Sequence, residues 1–209
     1  AAARHVLALT FTRKAAGELR SRLGALGVRE GVAAGTFHAV AYAQLRQRWA
    51  DGGEAAPQLL ERKAGLLARL LGPRGGRDAT VQPIDLAAEI EWAKARMVAP
   101  DRYESAVLAA GRTPPIAPSA MAALYERYEV EQRRRGLVDF DDLLQRCVEA
   151  LRSDTAFAAA QRWRFRHLFV DEYQDLNPLQ DRLLRAWLGD RPDLCVVGDP
   201  NQAIYAWNG

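Results

Sequence analysis

Asp171 and Glu172 stand side by side behind the apolar run Leu168, Phe169, Val170, and Gln174 and Asp175 follow at once. The run reads as the end of a buried strand. In open parallel sheets, ligands collect at the carboxyl ends of the strands, so two carboxylates delivered there are placed for chemistry. An aspartate at that edge can hold Mg²⁺ against nucleotide phosphates, and the adjacent glutamate can serve as general base toward an attacking water. A local reading stands beside this one: Asp175 and Asn177 ahead of Pro178 suit the start of a helix. A second apolar run, "LCVVGDPNQ", ends in Gly198, Asp199 and Gln202. A glutamine beyond a neighbouring parallel strand is placed to touch a γ-phosphate or its water, or else to cap the next turn.

Two strand-to-helix junctions near the N-terminus carry further candidates. "TFTRKAAGELR" (10–20) offers the hydroxyls of Thr10 and Thr12, the cation Arg13, and helix amides that together suit a phosphate. Phe11 can stack on a base or lie in a core. "GTFHAVA" (35–41) repeats the pattern with Thr36 and His38. A metal cage is poorly supported, since His5 and His167 are the other histidines. At the far end Tyr205 and Trp207, two apart, suit a stacking wall for single-stranded bases or a core or interface position.

The elements that must hold these residues follow from periodicity. "HVLALTF" (5–11) is a β-capable run. "RKAAGELRSRLGAL" (13–26) has helical spacing, with Leu19, Leu23 and Leu26 on one stripe. Residues 32–49 read as a short strand, a turn at Gly35 and a second helix. This alternation favours a parallel sheet. From about 50 to 136 the rhythm changes. "QLLERKAGLLARLL", "PIDLAAEIEWAKARM" and "MAALYERYEVEQRRR" are predicted as amphipathic helices, no convincing strand stands among them, and "TPPIAP" breaks the chain before the last. At 137 the α/β rhythm returns. "VDFDDLLQRCVEAL" opens a helix with Asp139 as N-cap and Asp142 three residues on. "FRHLFVDE" is a strand, "NPLQDRLLRAWL" a helix and "DLCVVGD" a strand.

Composition limits the classes. The 209 residues are 49% hydrophobic and 26% charged, with a net charge of +3. That length can bury a sizeable core. No apolar run approaches a bilayer span, and no signal-peptide layout opens the chain. Cys147 and Cys195 sit in apolar stretches without metal-type spacing, which argues against a disulfide framework and for a reducing cytoplasm. Of 29 basic residues only Lys14, Lys63 and Lys94 are lysines. Arginine suits planar contacts to phosphate and bases, although an arginine-rich genome gives the same bias.

In this order, "LALTFTRKAAGELRSRL", "GTFHAVAYAQLR", "LVDFDDLL", "FVDEYQDLNPLQ" and "VVGDPNQAIYAWNG" resemble five stretches of the superfamily 1 DNA helicases of the UvrD/PcrA/Rep type: motif Ia, motif Ib, the stretch ahead of the Walker B strand, motif II and motif III. The resemblance spans nearly the whole chain. It implies an α/β fold with a RecA-like parallel sheet of the P-loop NTPase type, interrupted by an all-helical subdomain. Residues 1–56 and 137–209 would form the two parts of motor domain 1A, and 57–136 the inserted subdomain 1B. It implies ATP and Mg²⁺ as cofactors, with Asp171 as the magnesium-side carboxylate, Glu172 as catalytic base and Gln202 as the link from γ-phosphate to DNA. Phe11, Arg13, Thr36, His38, Tyr205 and Trp207 would meet DNA, either single strands or single-strand/duplex junctions, with no membrane partner.

The parent would translocate on single-stranded DNA, 3′ to 5′ by family habit, and unwind duplex in repair or recombination. Two departures touch the site: members often have Asn where Arg13 stands and Arg where Asn208 stands. No G-x-x-x-x-G-K-[ST] occurs, so the P-loop itself is absent. The expectation is an internal piece of a longer helicase, inactive by itself. Two rival readings remain: a helicase–nuclease subunit of the same superfamily, and a non-enzymatic DNA-binding module that has lost its ATPase. The intact Asp171, Glu172 and Gln202 argue against the second.

Overall fold

A computed structural model of the chain describes residues 3–28, 31–75, 81–199 and 201. In chain order it contains β1 Val6–Thr10, α1 Arg13–Ala25, β2 Ala33–Thr36, α2 Phe37–Asp51, β3 Gln58–Leu59, α3 Lys63–Gly75, α4 Pro83–Ala95, α5 Tyr103–Ala109, α6 Pro118–Arg135, β4 Leu137–Val138, α7 Phe140–Ser153, α8 Thr155–Arg164, β5 His167–Val170, α9 Pro178–Leu188 and β6 Leu194–Val196. The chain forms two compact units, residues 1–56 with 143–209, and residues 57–142.

The first unit is built on a parallel sheet in the order β2-β1-β5-β6. β1 is central, and Leu7 and Leu9 are buried on it. Their register partners on β5, Leu168 and Val170, are buried as well. Against this core, Phe37 of α2 stacks on Trp187 of α9 with ring centroids 5.9 Å apart. The Trp187 indole N–H donates to Gln44 Oε1 at 2.8 Å, and the Cys147 thiol lies 3.4 Å from the same oxygen. One amide carbonyl thus joins α2, α7 and α9, which satisfies the N–H of a buried tryptophan. Burial pushes the Cys147 thiol up to about 12, leaving it an inert thiol.

Several expectations for this unit are corrected. Gly35 is a residue of β2 and not a turn: α2 starts directly at Phe37 with Thr36 as N-cap. Leu26 is exposed, and α1 buries only Ala16, so the leucine stripe is not its packing face. Phe169 is 45% exposed, and Cys195 is exposed rather than set in apolar surroundings. Side chains alternate across a sheet, and Phe169 pairs in register with Cys195, so both lie on the face opposite Leu168 and Val170. The helix α8, "TAFAAAQRWR", was not foreseen; Asp154 caps it by accepting from Phe157 N–H at 2.9 Å.

The second unit is helical around a core that includes Leu67, Leu86, Ile90, Tyr103, Met121, Tyr125 and Tyr128. It also holds a strand pair that the sequence did not reveal. β3 and β4 form a two-residue parallel ladder, Gln58 with Leu137 and Leu59 with Val138. The helix expected from residue 58 therefore starts later, at Lys63, and α5 was not anticipated. Nor is α4 amphipathic. Leu86, Ala87, Glu89, Ile90, Trp92, Ala93, Lys94 and Ala95 are all buried, so it is surrounded by its own unit. Its two buried charges have partners. Glu89 accepts from Tyr103 Oη at 2.8 Å and pairs with Arg112, and Lys94 binds Asp139 and Asp142.

Asp139 and Asp142 exchange backbone N–H bonds at 2.9 Å, which is the predicted cap at the start of α7. Their attachment to Lys94, and the pairing of β4 with β3, put residues 137–142 in the helical unit rather than with the returning α/β segment. Among the described residues, no helix is long and apolar enough to cross a membrane.

Candidate active site

The carboxyl ends of β2, β1 and β5 lie next to one another, and the residues singled out above cluster there. Thr10 and Thr36 are register partners at the ends of β1 and β2. Both junctions are built as helix starts. Thr12 Oγ1 accepts from Ala15 N–H at 3.0 Å, and Thr36 Oγ1 accepts from Ala39 N–H at 3.2 Å. Each hydroxyl satisfies one of the free amides of a first helical turn. The Thr10 hydroxyl is buried and donates to Thr12 O at 3.2 Å, so it braces the turn and does not face a ligand. Phe11 lies half-buried between β1 and α1, Arg13 is exposed at the first position of α1, and His38 is half-buried in the first turn of α2.

Asp171 extends the ladder, its N–H donating to Leu9 O at 3.0 Å, and then the chain turns sharply. Glu172 adopts the left-handed conformation, φ 53° and ψ 45°. That region is uncommon for a residue with a Cβ, and such conformations concentrate where function holds them. Asp171 Oδ1 accepts Glu172 N–H at 3.1 Å, fixing the turn. Both carboxylates are exposed at the sheet edge.

Gln174 is the residue whose role the sequence did not disclose. Its Nε2 donates to Glu172 Oε2 at 2.7 Å, while its Oε1 accepts Asp199 N–H at 3.1 Å. One amide thereby links the Glu172 carboxylate to the segment that leaves β6. The backbone makes the same connection: Val197 N–H donates to Val170 O at 2.8 Å, and Tyr173 N–H donates to Val197 O at 2.9 Å. Gly198 allows this approach. A Cβ there would fall 2.3 Å from Gln174 Oε1 and 3.1 Å from Tyr173 N. The signal available in the sequence was an amide two residues beyond a carboxylate, facing a glycine at the next strand end.

The local reading of the same stretch also holds, and it does not compete. Asn177 caps α9, accepting Gln180 N–H at 2.8 Å while Gln180 Oε1 accepts Asn177 N–H at 3.1 Å. Asp175 belongs to the 3₁₀ turn Tyr173–Asp175 instead, so it is not the cap. Capping uses Asn177 and leaves Asp171 and Glu172 free for other work. Gln202, Tyr205, Trp207 and Asn208 lie outside the described residues.

The donor set suits one kind of cation only. Among the described residues, no group of three His, Cys, Asp or Glu could hold a metal ion. A magnesium ion carried with phosphates needs just one or two carboxylates and keeps several waters. Asp171, exposed and with Oδ2 unengaged among the described groups, fits that demand.

The model of the UvrD/REP helicase N-terminal domain matches residues 1–209. This chain belongs to that family. Its relatives include ATP-dependent DNA helicase UvrD2 of Mycobacterium tuberculosis, 48% identical over 100% of this chain and 31% of the relative. ATP-dependent DNA helicase PcrA of Leuconostoc citreum is 32% identical over 98% of the chain and 27% of its own length. DNA helicase II of Escherichia coli is 32% identical, with 98% and 28% covered. The chain thus spans less than a third of the length of these relatives. As a UvrD/REP N-terminal domain, it has the RecA-like parallel sheet, and the strand ends described above carry the family's motif Ia, Ib and II residues.

Proposed function

We propose that this chain is the nucleotide- and DNA-facing part of an ATP-dependent DNA helicase that translocates 3′ to 5′ on single-stranded DNA and opens duplex at single-strand junctions, in cytoplasmic DNA repair or recombination. One observation carries the reading. Glu172 is held in a left-handed turn at the carboxyl end of β5, and Gln174 ties its carboxylate to the segment leaving β6. A glutamate that merely decorated a loop would need neither device. The names of the relatives, ATP-dependent DNA helicases, support the same reading.

In this proposal Asp171 holds Mg²⁺ through its carboxylate, and the ion neutralises phosphate charge when bound. Glu172 accepts the proton of the water that attacks the γ-phosphate of ATP, at the carboxylate oxygen not engaged by Gln174. Gln174 sets the orientation of that carboxylate and couples it to the strand end that leads to Gln202, which senses the γ-phosphate. Thr36 and His38 meet the DNA backbone, and Phe11, Tyr205 and Trp207 meet bases, with Arg13 adding a phosphate contact. Motor domain 1A then corresponds to the sheet unit and subdomain 1B to the helical one.

The test is Glu172→Gln in the full-length parent. Hydrolysis should fall by about 10²–10⁴-fold, the usual worth of a general base. ATP binding should persist, because Asp171 remains. A near-normal kcat would remove Glu172 from the role.

A further inference from the structure

At the opposite, amino-terminal edge of the same sheet lies an open pocket of about 520 Å³ lined by Arg162, Trp163, Arg166, His167, Arg191 and Asp193. It is separated from the Asp171–Glu172 edge by the length of β5, roughly 13 Å at about 3.3 Å per residue. None of its residues takes part in the site described above.

The pocket is assembled by two helix ends. α8 finishes at Arg164 and α9 at Leu188, and a single guanidinium closes both. Arg191 Nε donates to Leu188 O at 3.0 Å, and its Nη2 donates to Phe165 O at 3.1 Å and Trp187 O at 3.0 Å. Its Nη1 donates to Arg162 O at 2.9 Å and Arg166 O at 3.3 Å. Such carbonyls have no partner within their own helices. Arg191 therefore supplies charge to the pocket but no free donor. Arg162 is partly used as well, donating to Ala186 O at 3.0 Å from Nη2. Gly189 lets it lie close, since a Cβ there would come 3.0 Å from Arg162 Nε.

Two groups are left for a ligand. Arg166 is exposed, and its guanidinium has no partner among the described residues. Trp163 is 60% exposed, and its indole is fixed against His5 in an edge-to-face pair with centroids 5.0 Å apart. His5 is itself anchored, its Nδ1 lying 3.2 Å from Arg164 O. Three guanidiniums face one carboxylate, and Asp193 is drawn toward His167 Nδ1 at 3.3 Å.

From this arrangement we propose that the pocket binds a nucleotide unit, with the base on the Trp163 indole and the phosphate on the Arg166 guanidinium. A planar ring joined to an anion uses both groups at once. An acidic peptide would satisfy the charge and leave the indole without a matching face. The nucleotide can come from a free mononucleotide or from a single strand, and the two sources are separable. The proposal does not rest on the DNA contacts assigned to Phe11, Thr36 and His38.

The test uses the 209-residue chain with deoxythymidine monophosphate and with an eight-residue oligothymidylate. Trp163→Ala should weaken both probes by about 5- to 150-fold, the worth of one stacked base, and Trp163→Tyr should retain most of the affinity. Arg166→Ala should lower the slope of log K against log salt for the oligonucleotide by about 0.7, as expected for one lost phosphate contact. The melting temperature should hold in all three variants, since both side chains are exposed. Binding of both probes supports a mononucleotide site, and Trp163-dependent binding of the oligonucleotide alone supports a strand site. Unchanged affinity for both probes in Trp163→Ala and Arg166→Ala overturns the proposal. An octaglutamate peptide that displaces them with equal affinity also overturns it. Loss of oligonucleotide binding in Phe11→Ala but not in Trp163→Ala overturns the pocket while leaving the proposed function standing.

Discussion

Replacing Lys94 by methionine measures what the buried ion cluster contributes to the helical unit. Lys94 is 0% exposed, and its ammonium donates to Asp139 at 2.8 Å, Asp142 at 2.6 Å and Gln132 at 3.4 Å. Methionine keeps most of the side-chain length and removes every donor. The fully buried Asp139 carboxylate would retain the Tyr128 hydroxyl at 2.8 Å, the Asp142 N–H at 2.9 Å and the Lys63 ammonium at 3.9 Å. Removing one partner of a buried pair costs about 3–5 kcal/mol, because an uncompensated charge stays behind. That is a large share of the ~5–15 kcal/mol that holds a typical domain together. Urea unfolding followed by far-UV circular dichroism should show a lower midpoint with an unchanged slope in Lys94→Met. The double variant with Asp139→Asn should lose less than the sum of the two single losses. A loss under about 1 kcal/mol, or strict additivity, would refute the reasoning, since it would mean the carboxylates find water or another cation.

The same cluster sets a pH dependence. The carboxylates of Asp139 and Asp142 beside Lys94, and of Asp141, Asp139 and Glu91 beside Lys63, outweigh burial and raise both lysines above their ordinary value. Their contribution is complete below the unfolded lysine value of about 10.4 and is lost only as pH rises through the folded values above it. Lys94 and Lys63 hold Asp139 below the usual carboxylate range against its burial. Its contribution is present above about pH 3.9 and is lost as pH falls toward its folded value. Burial and the charge on Asp139 push Asp141 and Asp142 the other way, which blunts the acid limb. The alkaline limb is therefore the cleaner reading, with stability flat up to about pH 10 and falling beyond it.

Gly198→Ala should push the β6 exit away from Gln174 and cost about 1–3 kcal/mol of overpacking, with a matching fall in parent hydrolysis if Gln174 positions Glu172; normal activity would uncouple the two. Asn177→Ala should lower stability by about 0.5–2 kcal/mol through the cap of α9 and leave nucleotide affinity unchanged, as read by melting and titration together. Gln44→Leu should cost about 1–3 kcal/mol by orphaning the Trp187 N–H, and it should shift the tryptophan emission; an unaltered melting temperature would remove Gln44 from that role.

The sequence alone determined the parallel α/β rhythm and the positions of Asp171 and Glu172. Apolar runs of period two that end in turn residues are local signals, and so are N-caps such as Asp139 ahead of Asp142. It also located the strand-to-helix junctions at Thr12 and Thr36, because a capping hydroxyl bonds an amide three residues on. Other features depended on neighbours far along the chain. β3 and β4 are two residues each, too short for periodicity, and they exist because Gln58 meets Leu137. The leucines of α1 looked like a packing stripe, yet the face it buries carries Ala16. Lys94 read as the polar side of an amphipathic helix, and only Asp139 and Asp142 on another segment explain why it is buried. Gln174 had no assigned task until Gly198 was brought against it from the next strand. Local bonding leaves its mark within a few residues of sequence, whereas the pairing of a buried charge or a bridging amide is written in two places that only the fold brings together.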